Sequence, residues 1–168
     1  MNIQLIVDIS QIAAALTVIG GTFFGLMQLT EFRKQRRDAV AGELMRTFMD
    51  TEFTFAIARI MNLPDGISLD EMRESGPDIE QSAVLIESTF ETIGLLTYER
   101  ITPMSLVSNL TGGTVILMWR KLEVWIMEIR TNNSNPHDGE WFQWLAEQCM
   151  QNKPQSIPAH IKYRDWQS

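Results

Sequence analysis

Apolar residues are spread along this chain in two different ways. Between Asp8 and Glu31 lie 22 residues without a formal charge, and the apolar ones occupy every face of a helix drawn through them. Further on, apolar positions recur at steps of three and four, which marks helices buried on one side only. Ala41, Leu44, Met45, Phe48, Met49, Phe53, Ala56, Ile57 and Ile60 form one such stripe. With no proline before it, this stripe predicts one long helix, or two nearly continuous ones, over residues 8–62. Ile79, Ala83, Ile86, Phe90 and Ile93 predict a helix over about 78–100. Val115, Met118, Trp119, Leu122, Trp125, Ile126 and Ile129 predict another, ending near Arg130. A short helix comes next in "EWFQWLAEQCM", with Trp141, Phe142 and Leu145 facing inward and Asp138 as its cap.

The segments between these stripes carry turn residues. "NLPDGISLDEMRESGPD" holds Pro64, Gly66, Gly76 and Pro77 and reads as a solvated acidic loop with at most one helical turn. Its acids are not spaced as calcium ligands. "NNSNPHDGE" is a second loop, and the tail after Asn152 contains Pro154 and Pro158 and reads as irregular. No alternating strand pattern occurs. The expected class is all-α, with a bundle of about four helices.

The uncharged run decides the expected location. As a helix, residues 9–30 would extend about 33 Å, matching a hydrocarbon core of about 30 Å. A cleaved signal peptide wants positive charge before its apolar part, and only Asp8 and the amino terminus precede this one. A core helix would not be apolar all round. The expectation is one N-terminal transmembrane helix. Arg33, Lys34, Arg36 and Arg37 in "RKQRR" would then touch lipid headgroups and hold the remainder of the chain in the cytoplasm. The expected organisation is a short periplasmic tail (1–8), a transmembrane helix (9–30) and a juxtamembrane stalk helix (31–62). A cytoplasmic helical domain (63–152) and an irregular tail (153–168) complete it. The expected address is a bacterial inner membrane, single-pass, N-terminus outside. Within the run, Ala13, Thr17, Gly21 and Gly25 recur every four residues. Such a small-residue face lets a second helix approach closely, as a homo-oligomer or with a membrane protein partner.

Charge and chemistry change the picture little. From Asp38 onward there are ten basic and nineteen acidic residues, a formal charge of −9. A surface that acidic repels phosphate backbones and argues against nucleic acid as a partner. Cys149 is the only cysteine, which excludes an intrachain disulfide. His137, Asp138 and Glu140 are near-consecutive loop residues rather than converging ligands, so no metal is expected. "TGGT" at 111–114 reads as a close-packing site more readily than as an anion cradle. Glu80, Glu87 and Glu91 line up along one helix, a row that would suit a cation, a basic partner or plain water. No nucleotide-loop or zinc-protease motif is present, so no catalytic or cofactor residue is assigned. The expected function is a non-enzymatic, membrane-anchored scaffold or accessory subunit that assembles through its first helix and docks a partner. The alternative is an oligomeric membrane effector or pore triggered by its soluble part.

"MQLTEFRKQRRD", "FETIGLLTYER", "WRKLEVWIMEIR" and "EWFQWL" together resemble a group of bacterial proteins known only as a domain of unknown function. The resemblance covers most of the chain. It implies the same single-span layout and carries no activity.

Overall fold

The computed structural model describes residues 3–152 and 157–167. Residues 1–2, 153–156 and 168, and the side chains of residues 3–15, 30, 33–34 and 36–38, lie outside the described residues. All regular structure in the described residues is helical: α1 (Ile3–Met49), α2 (Thr51–Met61), α3 (Leu69–Glu74), α4 (Pro77–Tyr98), α5 (Met104–Leu110), α6 (Gly112–Asn133), α7 (Glu140–Asn152) and α8 (Ala159–Lys162). The chain divides into two compact units, Met1–Gly42 and Glu43–Ser168, with the division inside α1.

The first unit is the body of α1. Leu16, Val18, Ile19, Phe23, Phe24, Leu26, Met27, Leu29 and Phe32 are each 56 to 71% exposed. The expected transmembrane helix over 9–30 is overturned. Among the described residues no helix is long and apolar enough to cross a membrane. The described side chains of the run begin at Leu16, and from there to Leu29 a helix extends about 21 Å, short of a core of about 30 Å. Thr17, Thr22, Gln28 and the three glycines Gly20, Gly21 and Gly25 dilute it further. The single-pass inner-membrane address, with N-terminus outside and cytoplasmic domain, falls with it.

The second unit is a four-helix bundle. The three expected stripes supply its core: Phe53, Ala56 and Ile60 from α2, Ala83, Ile86, Phe90 and Ile93 from α4, and Val115, Met118, Leu122, Trp125 and Ile126 from α6 are all buried. Phe142, Leu145, Ala146 and Cys149 of α7 complete it. A continuous run of aromatic rings joins the elements. Phe48 meets Phe53 at 5.5 Å, Phe53 meets Phe90 at 5.8 Å, Phe90 stacks on Phe142 at 5.1 Å, and Phe142 meets Trp119 at 5.3 Å. Each such pair adds about 0.5–1.5 kcal/mol beyond the area it buries.

These pairs also fix direction. Phe53 faces Phe90 while Arg59 donates to the Ser82 hydroxyl at 3.2 Å, so α2 and α4 are antiparallel. The Glu91 carboxylate accepts from the Phe142 N–H at 2.8 Å and Tyr98 meets Trp144, so α4 and α7 run the same way. Ile126 lies beside Gly139 and Trp119 beside Phe142, so α6 opposes both. Gly94 lets α4 and α7 touch: a Cβ there would lie 2.3 Å from the Trp141 carbonyl oxygen.

Several local expectations are refined. The long helix breaks at Asp50, whose backbone is extended (φ −64°, ψ 133°) and whose carboxylate accepts from the Phe53 N–H at 3.0 Å. That bond satisfies one of the orphan donors at the start of α2. The acidic loop contains α3, opened by a capping box in which Ser68 and Glu71 satisfy each other's backbone. The loop is not freely solvated either. Gly66 and Ile67 donate to the carbonyls of Arg120 and Lys121, and Asp65 pairs with Lys121 at 2.8 Å. The Lys121 hydrogen bond, more than its charge or that of Arg120, holds the Asp65 carboxyl below the usual range. The tail carries the short helix α8, and its Tyr163 and Trp166 are exposed rather than docked.

Candidate functional site

The residues singled out in the first unit divide by what is described. Ala13 and the side chains of Arg33, Lys34, Arg36 and Arg37 lie outside the described residues. Thr17, Gly21 and Gly25 are exposed on α1. A Cβ added at Gly21 or Gly25 would meet nothing within 4 Å. The surface around them is open to a second backbone and rimmed by large apolar side chains.

The acidic row on α4 does not act as a row. Glu91 turns to the start of α7, where its carboxylate serves as an acceptor for an orphan N–H and as a negative charge at the positive end of the helix. Glu128 on α6 does the same for α3, accepting from the Leu69 N–H at 2.6 Å. Asp138, the expected cap of α7, instead accepts from the side chains of Asn133 and Asn135, and its backbone carbonyl accepts from Arg130 Nε at 2.6 Å.

Glu87 is left without such a partner. Its side chain is half-buried between α4 and the loop before α7, and no hydrogen bond or ion pair reaches its carboxylate among the described residues. Burial above all, then the charges of Glu91 and Asp138, raises its pKa to about 7. It opens on a cavity of about 290 Å³ lined by Glu80, Val84, Glu87, Trp125, Ile126, Ile129, Asn133 and Asp138. Trp125 is 2% exposed, and its indole N–H has no acceptor among the described residues.

The remaining candidates separate. His137 Nδ1 pairs with Glu140 at 2.8 Å on the surface, a hydrogen bond that raises the histidine's pKa, while Asp138 faces the asparagines. Among the described residues no group of three or more His, Cys, Asp or Glu could hold a metal. Cys149 is fully buried in α7. Thr111 and Gly112 of "TGGT" are buried where α6 begins.

One surface feature was not anticipated. Trp141, expected to face inward, is only half-buried, and it packs on Tyr98 at 4.6 Å. Trp144 meets both rings, at 5.8 Å to Tyr98 and 6.3 Å to Trp141. Tyr98 is 54% exposed, so the group forms an aromatic patch across α4 and α7. The i, i+3 spacing of Trp141 and Trp144 was the available signal.

The chain belongs to the DUF4760 family, a domain of unknown function, which matches residues 5–149. No curated protein and no solved structure matches it. The family spans both units and ends within α7. It supports the expected resemblance to a domain of unknown function.

Proposed function

We propose that the protein is a non-enzymatic helical assembly module. Its α1 associates side by side with the α1 of further copies, and its bundle presents a docking surface to a partner protein. The observation that carries this is the uncovered apolar array of α1. A helix exposing nine large apolar side chains from Leu16 to Phe32 gains by burying them against a similar helix. Thr17, Gly21 and Gly25 give that contact its closest approach, because small residues let two backbones near each other. On the bundle, Tyr98, Trp141 and Trp144 have the composition of an interface centre, where Trp and Tyr dominate binding energy. The chemistry seen elsewhere is compatible with a non-catalytic role. His137 is paired with Glu140 on the surface, and Cys149 is buried in the core.

Chemical crosslinking of the full chain in cells, with the copies in each product counted, tests the assembly. Dimers and higher species are expected. The double substitution Gly21→Leu with Gly25→Leu should weaken them by about fivefold or more, equivalent to about 1 kcal/mol. The melting of the bundle should stay unchanged, since neither glycine has a neighbour within 4 Å. A monomer at every concentration, or products unchanged by the double substitution, would sink the proposal.

A further inference from the structure

The cavity beside Glu87 combines features that ordinary packing does not explain. A half-buried carboxylate with no partner and a buried indole N–H with no acceptor among the described residues line the same space. Each is costly alone, because a buried polar group without a hydrogen bond loses its hydration and gains nothing in return. A bound molecule carrying a donor for one and an acceptor for the other would satisfy both. We infer that the cavity between α4, α6 and the loop before α7 is a binding site for a small organic ammonium compound with a neutral hydrogen-bond acceptor next to its amine.

The lining sets each part of that chemistry. Glu80 and Glu87 supply negative charge to the ammonium group. Trp125 requires an acceptor, as indole nitrogen only donates. That acceptor is neutral, a hydroxyl or an amide carbonyl, because a carboxylate would face Glu80, Glu87 and Asp138. Val84, Ile126 and Ile129 call for a short aliphatic body. A volume of about 290 Å³ lies at the small end for ligand pockets, which run from about 300 Å³ upward. An aliphatic amino alcohol meets all four demands.

Among the described residues no cation competes for Glu87. Glu80 and Glu91 lie on its own helix, and Asp138 is on the loop. Arg130 of α6 is engaged by the Asp138 carbonyl and by Gln143 Oε1, and His137 and Glu140 hold each other. The carboxyl is half-protonated near pH 7, so an ammonium ligand binds the ionised form and its affinity rises with pH. This site is independent of the assembly through α1, and either can fail without the other.

Calorimetric titration of the full chain with leucinol tests the site, and the indole ¹H–¹⁵N signal of Trp125 locates it. That signal is assigned by its absence in Trp125→Phe. Saturable binding that moves it is expected, tightening about tenfold from pH 6 to pH 8 as a group with a pKa near 7 ionises. Glu87→Gln keeps the shape, removes the charge, and should weaken binding at least about tenfold. Isopentylamine, which lacks the acceptor, and leucine, which adds a carboxylate, should each bind more weakly than leucinol. The proposal fails if leucinol at tens of millimolar leaves the Trp125 signal unmoved at pH 8. It fails equally if Glu87→Gln binds as well as the unaltered chain, or if isopentylamine or leucine matches leucinol.

Discussion

The two units use the same apolar residue types to opposite ends. Phe23 and Phe24 in α1 are exposed, whereas Phe90 and Phe142 in the bundle are fully buried. Glycine shows the same contrast. Gly21 and Gly25 face open space, while Gly94 sits where two helices touch. The bundle's apolar residues recur on one face and so define a direction in which to pack. Those of α1 surround the helix and define none. Apolar content alone therefore says that a segment wants cover. Only its period says that the chain itself can provide it.

The sharpest way to break this comparison is to add one methyl group to a glycine in each unit. Gly94→Ala places a Cβ 2.3 Å from a backbone oxygen, and backbone has no rotamer through which to escape. α4 and α7 must then separate, taking with them the stack of Phe90 on Phe142. The expected loss is about 3 kcal/mol or more, at or above the upper range for overpacking. Gly21→Ala meets nothing and gains helix propensity, so bundle stability should not fall. Denaturant unfolding of the two variants side by side checks both. Equal stability of the two would mean that α4 and α7 do not approach each other as described.

The three long stripes were legible because a buried helix face imposes its period on sequence. Of the positions assigned to α4, Ala83, Ile86, Phe90 and Ile93 are buried, and only Ile79 is intermediate. The break at Asp50 was written in "MDTEF", as an aspartate three residues before the N–H it caps, but the apolar stripe running through it masked the signal. The capping box of α3 was written as "SLDE" in a stretch that reads as loop. Two features had no local signature at all. Gly94 inside a helix looks like a simple cost in propensity until the partner backbone is known. Glu91 caps a helix 51 residues away, so its role exists only in the folded chain. The candidate site was legible as a row of acids, and not as one acid used in a cap and another left beside an unpaired indole. The apolar run of α1 was legible as a run. Its destination was not, because a pattern without a face leaves the cover unspecified.

A smaller effect tests that division of labour between the acids. Glu91→Ala leaves the Phe142 N–H without its acceptor and removes a negative charge from the start of α7. The expected cost is about 1–2 kcal/mol, the range for losing a helix cap with a charged acceptor. Hydrogen exchange should show the change first at the amide of Phe142. Loss of protection spread evenly over the bundle would argue that Glu91 acts through general packing instead.

The smallest and most diagnostic effect belongs to Glu87, whose folded-state pKa is raised to about 7 from an ordinary 4.5. The folded chain holds that proton more tightly than the unfolded chain does. Its contribution to stability is therefore complete below about pH 4.5 and is lost as pH rises through about 7. Glu87→Gln cannot ionise, so it should match the unaltered chain at pH 4.5 and exceed it at pH 8. The carboxyl is partly open to solvent, which screens the penalty, so the gain at pH 8 should be about 1–2 kcal/mol rather than the full shift. Denaturant unfolding of both proteins from pH 4.5 to pH 8 measures the difference. A gap that opens with rising pH identifies Glu87 as a carboxylate strained by its cavity. A gap independent of pH would mean that the carboxylate is satisfied in the folded chain, and the cavity would then have no charge left to offer a ligand.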